Sequence, residues 1–202
     1  MGAPKLLLEL DGEPLLTRAV RRATAVDPSP VVVLRRDDAA ARDVLGGHAC
    51  RIVINPRPEH GPASSIALGV EAIRRGLPGE ADTSQRAVLV LLPDMPFVDA
   101  DMMHALVRRY REMERRYEGL GLRYEGPEWV KDRFYVTARY GGVVAPPVIL
   151  PPSVFAGLGG ATGVLRDHLR RAGARAETVD LPRRALADVD TPTDRDRLLR
   201  GF

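Results

Sequence analysis

Short apolar runs alternate with amphipathic helical segments along the first half of the chain, and this alternation limits the possible folds more than any other feature. Three runs, at 31–34 (VVVL), 51–54 (RIVI) and 87–92 (AVLVLL), consist almost wholly of aliphatic residues. Runs of this kind are typical of strands buried on both faces, which occur in parallel sheets covered by helices. The sequence therefore predicts an α/β fold with a mostly parallel sheet between layers of helices.

Helical periodicity occurs between these runs and again towards the end of the chain. The predicted helices are 14–26, 37–46, 65–75, a stretch from Asp99 through ALVRRYREMERRY, VLRDHLRRA at 164–172 and TPTDRDRLL at 191–199. Further strands are predicted for FYVTARY and VVAPPVIL, which join at Gly141-Gly142, and for ARAETVDL. Residues 117–133 have no period and predict a loop or insertion. We expect one domain, 1–202.

Composition excludes several classes of protein. No window approaches the ~18 to 20 uninterrupted apolar residues of a membrane span, and no signal-peptide pattern is visible. The single cysteine, Cys50, rules out an internal disulfide or a cysteine zinc cluster. The net charge of +3 comes from scattered arginines, including the pair Arg21-Arg22, which we interpret as solvated surface rather than a nucleic-acid groove. We expect a cytoplasmic monomer or weak homo-oligomer whose partners are small molecules.

Acidic residues in two segments suggest a metal site. Asp94, in LVLLPDMPFVDADMM, follows the strongest predicted strand, and ligands of open α/β sheets bind beyond the carboxyl ends of strands. Asp188 and Asp190, in ALADVDTPTD, alternate at strand spacing and share one side of an extended segment. Carboxylates from separate elements, together with phosphate oxygens, are what magnesium requires. The alternatives are that Asp94 or Asp190 only caps a helix, although Asp99 is better placed than Asp94 to cap the helix that follows.

A third segment, INPRPEHGPASSIALG, leads from a strand into a helix. Asn55 and Pro56 turn the chain, and Gly61 precedes Ser64-Ser65, which are predicted to cap the helix over 65–75. The free N–H groups at such a helix start suit an anion or a ribose hydroxyl. By itself this pattern is a weak indication of a nucleotide site.

Four stretches together resemble one family: MGAPKLLLELDGEPLLTRAV, NPRPEHGPASSIALGVEAI, VLLPDMPFV and LADVDTPTDRDRL. They are similar, in the same order, to the MobA-like NTP transferases, which include molybdenum-cofactor guanylyl- and cytidylyltransferases. The resemblance implies a three-layer α/β/α fold of the glycosyltransferase-A type, like that of nucleotide-diphospho-sugar transferases. It also implies a reaction in which a phosphorylated acceptor attacks the α-phosphate of an NTP and pyrophosphate leaves.

The resemblance assigns roles to particular residues. Lys5 becomes the lysine that ends the family's glycine-rich loop and neutralises the triphosphate, and Asp94 becomes the catalytic aspartate that binds magnesium. Its partner is Asp190 or, less surely, Asp188. Base or ribose would be held by Asn55, Gly61, Ser64 and Ser65. The implied ligands are Mg²⁺, GTP or CTP, and molybdopterin or another small phosphorylated acceptor.

Two departures from the family pattern shape further expectations. The family begins with a buried strand and a loop of the form LAAGxSxRMGxxK, of which MGAPK alone stands here, so we interpret the domain as N-terminally truncated. We then predict a gap between the strands at 31–34 and 87–92, or a substitute element filling it. The alternative function is a non-catalytic nucleotide-binding or regulatory protein that lost the phosphate loop. In addition, GGATGVLRDHL replaces the family's Gly-Asp-x-Gly-Ala-Arg pattern, which puts acceptor binding in doubt.

Overall fold

The computed structural model describes residues 5–76, 86–119, 134–158, 162–189, 191, 193–194 and 196. Most of the segment predicted as a loop or insertion, 120–133, lies outside these residues, and so does much of the predicted helix at 191–199. Within the described residues, no helix has the length and apolar character needed to span a bilayer.

Strands and helices alternate along the described chain, as the apolar runs predict. The strands are β1 (Glu9–Leu10), β2 (Glu13–Pro14), β3 (Val31–Arg35), β4 (Arg51–Asn55), β5 (Val88–Val90), β6 (Phe134–Tyr140), β7 (Val143–Leu150) and β8 (Arg175–Asp180). The helices are α1 (Leu15–Ala23), α2 (Ala39–Val44), α3 (Pro62–Arg75), α4 (Ala100–Gly119) and α5 (Leu165–Arg171). The predicted elements that lie within the described residues are therefore confirmed, with their ends shifted by a few residues.

Among the described residues, strand pairing gives three separate sheets. The largest has the order β5-β7-β6-β8, and β3 pairs with β4 in parallel. The large sheet is mixed, because the turn at Gly141-Gly142 makes β7 antiparallel to β6, whereas β6 and β8 run parallel. The third sheet is the short β1–β2 hairpin, whose turn residues Asp11 and Gly12 both have positive φ (54° and 76°). Positive φ at both positions matches the right-handed twist of a tight hairpin.

The predicted gap between β3 and β5 is confirmed for the described residues, because these strands lie in different sheets and no described strand joins them. The apolar side chains of β3 and β4 are less buried than the sequence predicts. The residues of β3 from 31 to 33 are only partly buried, and Ile52 of β4 is 37% exposed. The expectation that these two apolar runs are buried on both faces is therefore wrong.

Helices cover both faces of the large sheet. Successive residues of β7 point to opposite sides: Val148 and Leu150 pack in a cluster with Val70 of α3 and Leu169 of α5, whereas Ile149 packs in a cluster with α4. This alternation follows from the two-residue period of a strand. Each buried aliphatic side chain contributes roughly 1.5 to 3 kcal/mol, so both helical layers are held firmly. The result is a three-layer α/β/α arrangement.

The helix ends have identifiable stabilising contacts. Asp99 accepts the N–H of Met102 at 2.9 Å, which confirms it as the cap of α4. At the far end of α3, Arg51 donates to the carbonyls of Ala72 and Gly76. The predicted cap at Ser64-Ser65 is wrong: α3 begins at Pro62, and both serines lie in its first turn. Proline suits this position because it lacks the N–H that a first turn leaves without a helical partner.

Candidate active site

Lys5 is held beside the loop that follows β5 by an apolar cluster at the start of the chain. The cluster contains Leu8, Leu10 and Leu15, with Val189 from the far end of the chain and Phe97 packed against them. The N–H of Leu15 also donates to the carbonyl of Leu8 at 2.9 Å. Residues distant in sequence are thereby brought to one place.

Asp94 lies in this loop and forms an ion pair with Lys5. Lys5 Nζ lies 2.7 Å from Asp94 Oδ2, and the two side chains are 33% and 22% exposed. The other carboxylate oxygen, Oδ1, is buried and has no hydrogen-bond partner among the described residues. An unpaired buried carboxylate oxygen is costly, so this atom is a natural point of attachment for a ligand.

Two further contacts fix the backbone of the Asp94 loop. The N–H of Val189 donates to the Asp94 carbonyl at 3.0 Å. The guanidinium of Arg22, on α1, donates to the carbonyl of Val98 at 2.9 Å and also to that of Pro96. Burial lowers the pKa of Arg22, which remains a cation at any ordinary pH. Lys5, Asp94 and these anchors form what we call the ion-pair half of the site.

Arg22 is a residue that the sequence interpretation missed, because the pair Arg21-Arg22 was assigned to the solvated surface. The spacing of residues along α1 does indicate that Arg22 faces the protein. Arg22 follows Leu15 by seven residues and Arg18 by four, so it shares the face of α1 that carries the buried Leu15. Arg21, one residue earlier, points to a different face and binds Glu13.

Of the two predicted carboxylate partners of Asp94, only Asp188 lies among the described residues. Asp188 is exposed and lies one residue from Val189, whose N–H binds the Asp94 backbone. Asp190 lies outside the described residues, so its pairing with Asp94 stays a prediction. In the part of the chain that the structure describes, no three His, Cys, Asp or Glu side chains form a group that could hold a metal ion.

Asn55, the last residue of β4, organises a second group, which we call the amide half of the site. Its side chain is 2% exposed. Nδ2 donates to the hydroxyls of Ser64 and Ser65, both at 2.9 Å, and Oδ1 accepts the N–H of Arg57 at 2.9 Å. Ser64 in turn donates to the carbonyl of Gly61 at 2.8 Å. The predicted residues Asn55, Gly61, Ser64 and Ser65 are thus brought together in one network.

The start of α3 has fewer free backbone N–H groups than the sequence predicts. The N–H of Ala63 donates to Gly163 at 3.1 Å, and that of Ser64 donates to Gly61 at 3.1 Å. The expectation of free N–H groups is therefore wrong at these two positions, because protein carbonyls already occupy them. Gly163 also donates to the carbonyl of His60 at 2.7 Å. This contact ties the start of α3 to the segment that precedes α5.

Gly61 makes this close approach possible. Its φ of +86° lies in the left-handed region, and a Cβ built on it would be 3.0 Å from the carbonyl oxygen of Gly163. Any side chain at this position would therefore combine backbone strain with a backbone collision.

The two halves lie at corresponding ends of their strands. Asn55 ends β4 and Asp94 follows β5, and α3, which connects these strands, packs against β3, β4 and β5. Both halves therefore follow the carboxyl end of a strand, although β4 and β5 belong to different sheets. This end is where ligands of open α/β folds bind.

The ion-pair half fits a divalent cation accompanied by phosphate. Magnesium is commonly held by one or two carboxylates together with substrate phosphates, rather than by a cage of protein ligands. One buried, unpartnered oxygen of Asp94 beside a lysine meets that description. The residues therefore fit a divalent cation that is also bound by phosphate oxygens.

Residues 1–178 match the model of the MobA-like NTP transferase domain. The chain belongs to this family. The match spans the ion-pair partners Lys5 and Asp94 as well as the whole amide half, and it confirms the resemblance found in the sequence. No curated protein matches the chain.

Solved structures agree on the fold. Rv0371c from Mycobacterium tuberculosis H37Rv, in complex with manganese, is 19% identical, with a TM-score of 0.64 over 100% of this chain and 94% of that one. The 4-diphosphocytidyl-2C-methyl-D-erythritol synthase of Anaerococcus prevotii DSM 20548 is 12% identical (TM-score 0.69; 98% and 92% covered). Molybdopterin-guanine dinucleotide biosynthesis protein A from Archaeoglobus fulgidus is 16% identical (TM-score 0.61; 98% and 90% covered). These likenesses confirm the nucleotide-diphospho-sugar transferase fold.

Proposed function

We propose that the protein is a cytoplasmic, magnesium-dependent nucleotidyltransferase that moves an NMP group from GTP or CTP to a small phosphorylated acceptor of the molybdopterin type. The observation that carries this proposal is the Lys5–Asp94 pair, in which a lysine lies 2.7 Å from a carboxylate that has a buried, unpartnered oxygen. A metal–triphosphate complex requires a positively charged hydrogen-bond donor for the phosphates and, beside it, an anionic ligand for the metal.

In the proposed reaction, a phosphate oxygen of the acceptor forms a bond to the α-phosphorus of the nucleotide. The bond from that phosphorus to the oxygen bridging to the β-phosphate breaks, and pyrophosphate leaves with the electron pair. Lys5 donates hydrogen bonds to triphosphate oxygens and offsets their charge. A divalent cation, when bound, neutralises charge on the phosphate oxygens; Asp94 would hold it, with Asp190 or Asp188 as its second carboxylate.

The amide half supports a separate role in holding the ribose or base. Because Asn55 already uses both amide hydrogens and its oxygen within the protein, it acts by positioning the loop that contains Gly61. The hydroxyl of Ser65 accepts from Asn55 and donates to no described group, so it is able to donate to a ribose hydroxyl. Positioning of this kind contributes much of the rate in phosphoryl transfer.

Support for the finer assignments comes from relatives of the same fold. The name of one neighbour specifies molybdopterin-guanine dinucleotide biosynthesis, another is a diphosphocytidyl synthase, and a third was crystallised with manganese. These names favour GTP or CTP as the nucleotide and a divalent cation as the cofactor. They do not choose between the two nucleotides, since both occur within one fold.

The proposal is tested by nucleotide binding followed by turnover. The chain is heated with magnesium and each of ATP, GTP, CTP and UTP, and GTP or CTP is expected to raise the melting temperature, since a ligand that binds the native state stabilises it. Pyrophosphate release is then measured with molybdopterin as the acceptor. Specific binding with no release for molybdopterin or other small phosphorylated acceptors would favour the non-catalytic nucleotide-binding alternative, and stabilisation by none of the four nucleotides would contradict both.

A further inference from the structure

We propose that Lys5 is an internal counter-ion of Asp94 that excludes the divalent cation until a nucleotide draws the lysine away, so that metal and nucleotide enter the site together. This inference rests on the proposed function and deepens it, because it assigns an order of binding to the same two residues. The starting observation is that Lys5 Nζ contacts Asp94 Oδ2 at 2.7 Å.

A divalent cation and the Lys5 ammonium would compete for the same carboxylate group. A cation on the free oxygen, Oδ1, would share one carboxylate group with the lysine ammonium on Oδ2. Both side chains are about two thirds buried or more, so water screens their charges poorly. Asp94 carries one negative charge, whereas a divalent cation and an ammonium bring three positive charges to it. Metal binding by the nucleotide-free protein is therefore opposed by Lys5.

A triphosphate removes this opposition. Its oxygens offer the ammonium charge-assisted hydrogen bonds in place of Asp94, and they supply further ligands for the cation. The backbone anchors at Val98 and Val189 hold the Asp94 loop in place while the lysine changes partner. Nucleotide and metal should consequently strengthen each other's binding by the same factor, as linkage requires.

Manganese alone, without nucleotide, is the direct probe. Mn²⁺ binding is measured by calorimetry or by the loss of its free EPR signal for the wild-type chain, for Lys5→Met and for Lys5→Arg. We expect Lys5→Met to bind Mn²⁺ about tenfold more tightly than wild type, since a hydrogen bond to a charged group corresponds to a factor of about ten or more. Lys5→Arg keeps the charge and should bind it about as weakly as wild type.

Two controls make the result specific. Arg75→Met removes an exposed ion pair, with Glu71 at 2.9 Å, in the last turn of α3, and should leave Mn²⁺ affinity unchanged. Adding Asp94→Asn to Lys5→Met should abolish the gain. Circular dichroism and the melting temperature of each variant establish that it is folded before titration.

The inference is overturned if folded Lys5→Met binds Mn²⁺ no more tightly than wild type, or if its gain survives Asp94→Asn. Its failure is distinguishable from that of the proposed function. Turnover by the wild-type chain with an unchanged Mn²⁺ affinity in Lys5→Met refutes the counter-ion role alone. A tenfold gain in a chain that binds no nucleotide refutes the transferase proposal, whereas the exclusion of metal by Lys5 still stands.

Discussion

The two halves of the candidate site are assembled in opposite ways. In the amide half, every side-chain partner of Asn55 lies within ten residues of it along the chain. In the ion-pair half, Lys5 and Asp94 are 89 residues apart in the sequence. The backbone of Asp94 is in turn bound by Val189, from the far end of the chain. The hydrogen bonds of the Asn55 side chain are therefore local, whereas the ion pair depends on the packing of distant parts of the chain.

The halves also differ in burial and charge. Asn55 is 2% exposed and neutral, and both its amide hydrogens and its amide oxygen form hydrogen bonds. Lys5 and Asp94 are charged and partly exposed, and one carboxylate oxygen is left without a described partner. A saturated buried amide contributes to stability, while an unsaturated charged pair is available to a ligand. Substitutions should consequently lower stability in one half and turnover in the other.

The largest expected effect is on turnover in the ion-pair half. Asp94→Asn keeps the size of the side chain but removes its charge, and we expect pyrophosphate release to fall at least about 10³-fold, equivalent to roughly 4 kcal/mol of transition-state stabilisation. The melting temperature should change little. Asp101→Asn, an exposed position in the first turn of α4, is the matched control and should keep full activity. Activity retained in Asp94→Asn would exclude the assigned role.

Much of the amide half could be predicted from sequence because its pattern is local. A strand run, a turn at Asn55-Pro56 and a glycine before two serines stand within a few residues of one another. What could not be predicted is the contact of Gly163 with the start of α3, since nothing local to either segment specifies it. That contact is why the helix start offers fewer free donors than expected.

The second expected effect is on stability in the amide half. Asn55→Ala removes a buried amide and leaves the N–H of Arg57 and two partly buried serine hydroxyls without this partner, and we expect a loss of about 2 kcal/mol in the free energy of unfolding. Ser65→Ala removes one of these hydrogen bonds and should cost about 1 kcal/mol. Urea unfolding measures both. Equal losses for the two variants would contradict the central position of Asn55 in the network.

A third effect separates backbone strain from close packing. Gly61→Ala and Gly142→Ala both place a side chain at positive φ (+86° and +95°), but only the Cβ at Gly61 would meet another backbone, that of Gly163. We expect Gly142→Ala to cost about 1 kcal/mol and Gly61→Ala about 1 kcal/mol more. Thermal unfolding compares them directly. A further loss of nucleotide affinity is expected for Gly61→Ala only, because its collision separates the start of α3 from Gly163.

In the ion-pair half, single residues could be predicted from the sequence, but contacts between distant residues could not. Lys5 and Asp94 could be assigned individually by their resemblance to a family, and the structure places them in contact. The role of Arg22 was missed because an arginine on a helix most often faces water, and only the docking of α1 on the loop after β5 buries it. The same limit applies to β3, whose apolar run predicted full burial, because burial depends on what packs against the strand and the residues from 31 to 33 are only partly buried.

The smallest expected effect is on the pH dependence of stability, which should differ between the hairpin beside Lys5 and the amide half. Glu13 accepts two hydrogen bonds of 2.9 Å from Arg21, which tie the hairpin beside Lys5 to α1, and these bonds lower the pKa of Glu13. A lowered pKa in the folded state gives stability that is complete above the ordinary value of 4.5 and is lost as pH falls through the lowered one.

We therefore expect Glu13→Gln to cost about 0.5 kcal/mol at neutral pH, a small value because the pair lies at the surface. The cost should vanish as pH falls below the lowered pKa of Glu13. The network around Asn55 contains no titrating group, so the cost of Asn55→Ala should stay constant over the same range. Urea unfolding of the wild type and both variants from about pH 7 to about pH 3 measures the two trends. A pH-independent cost for Glu13→Gln would show that its ion pair with Arg21 does not stabilise the hairpin that positions Lys5.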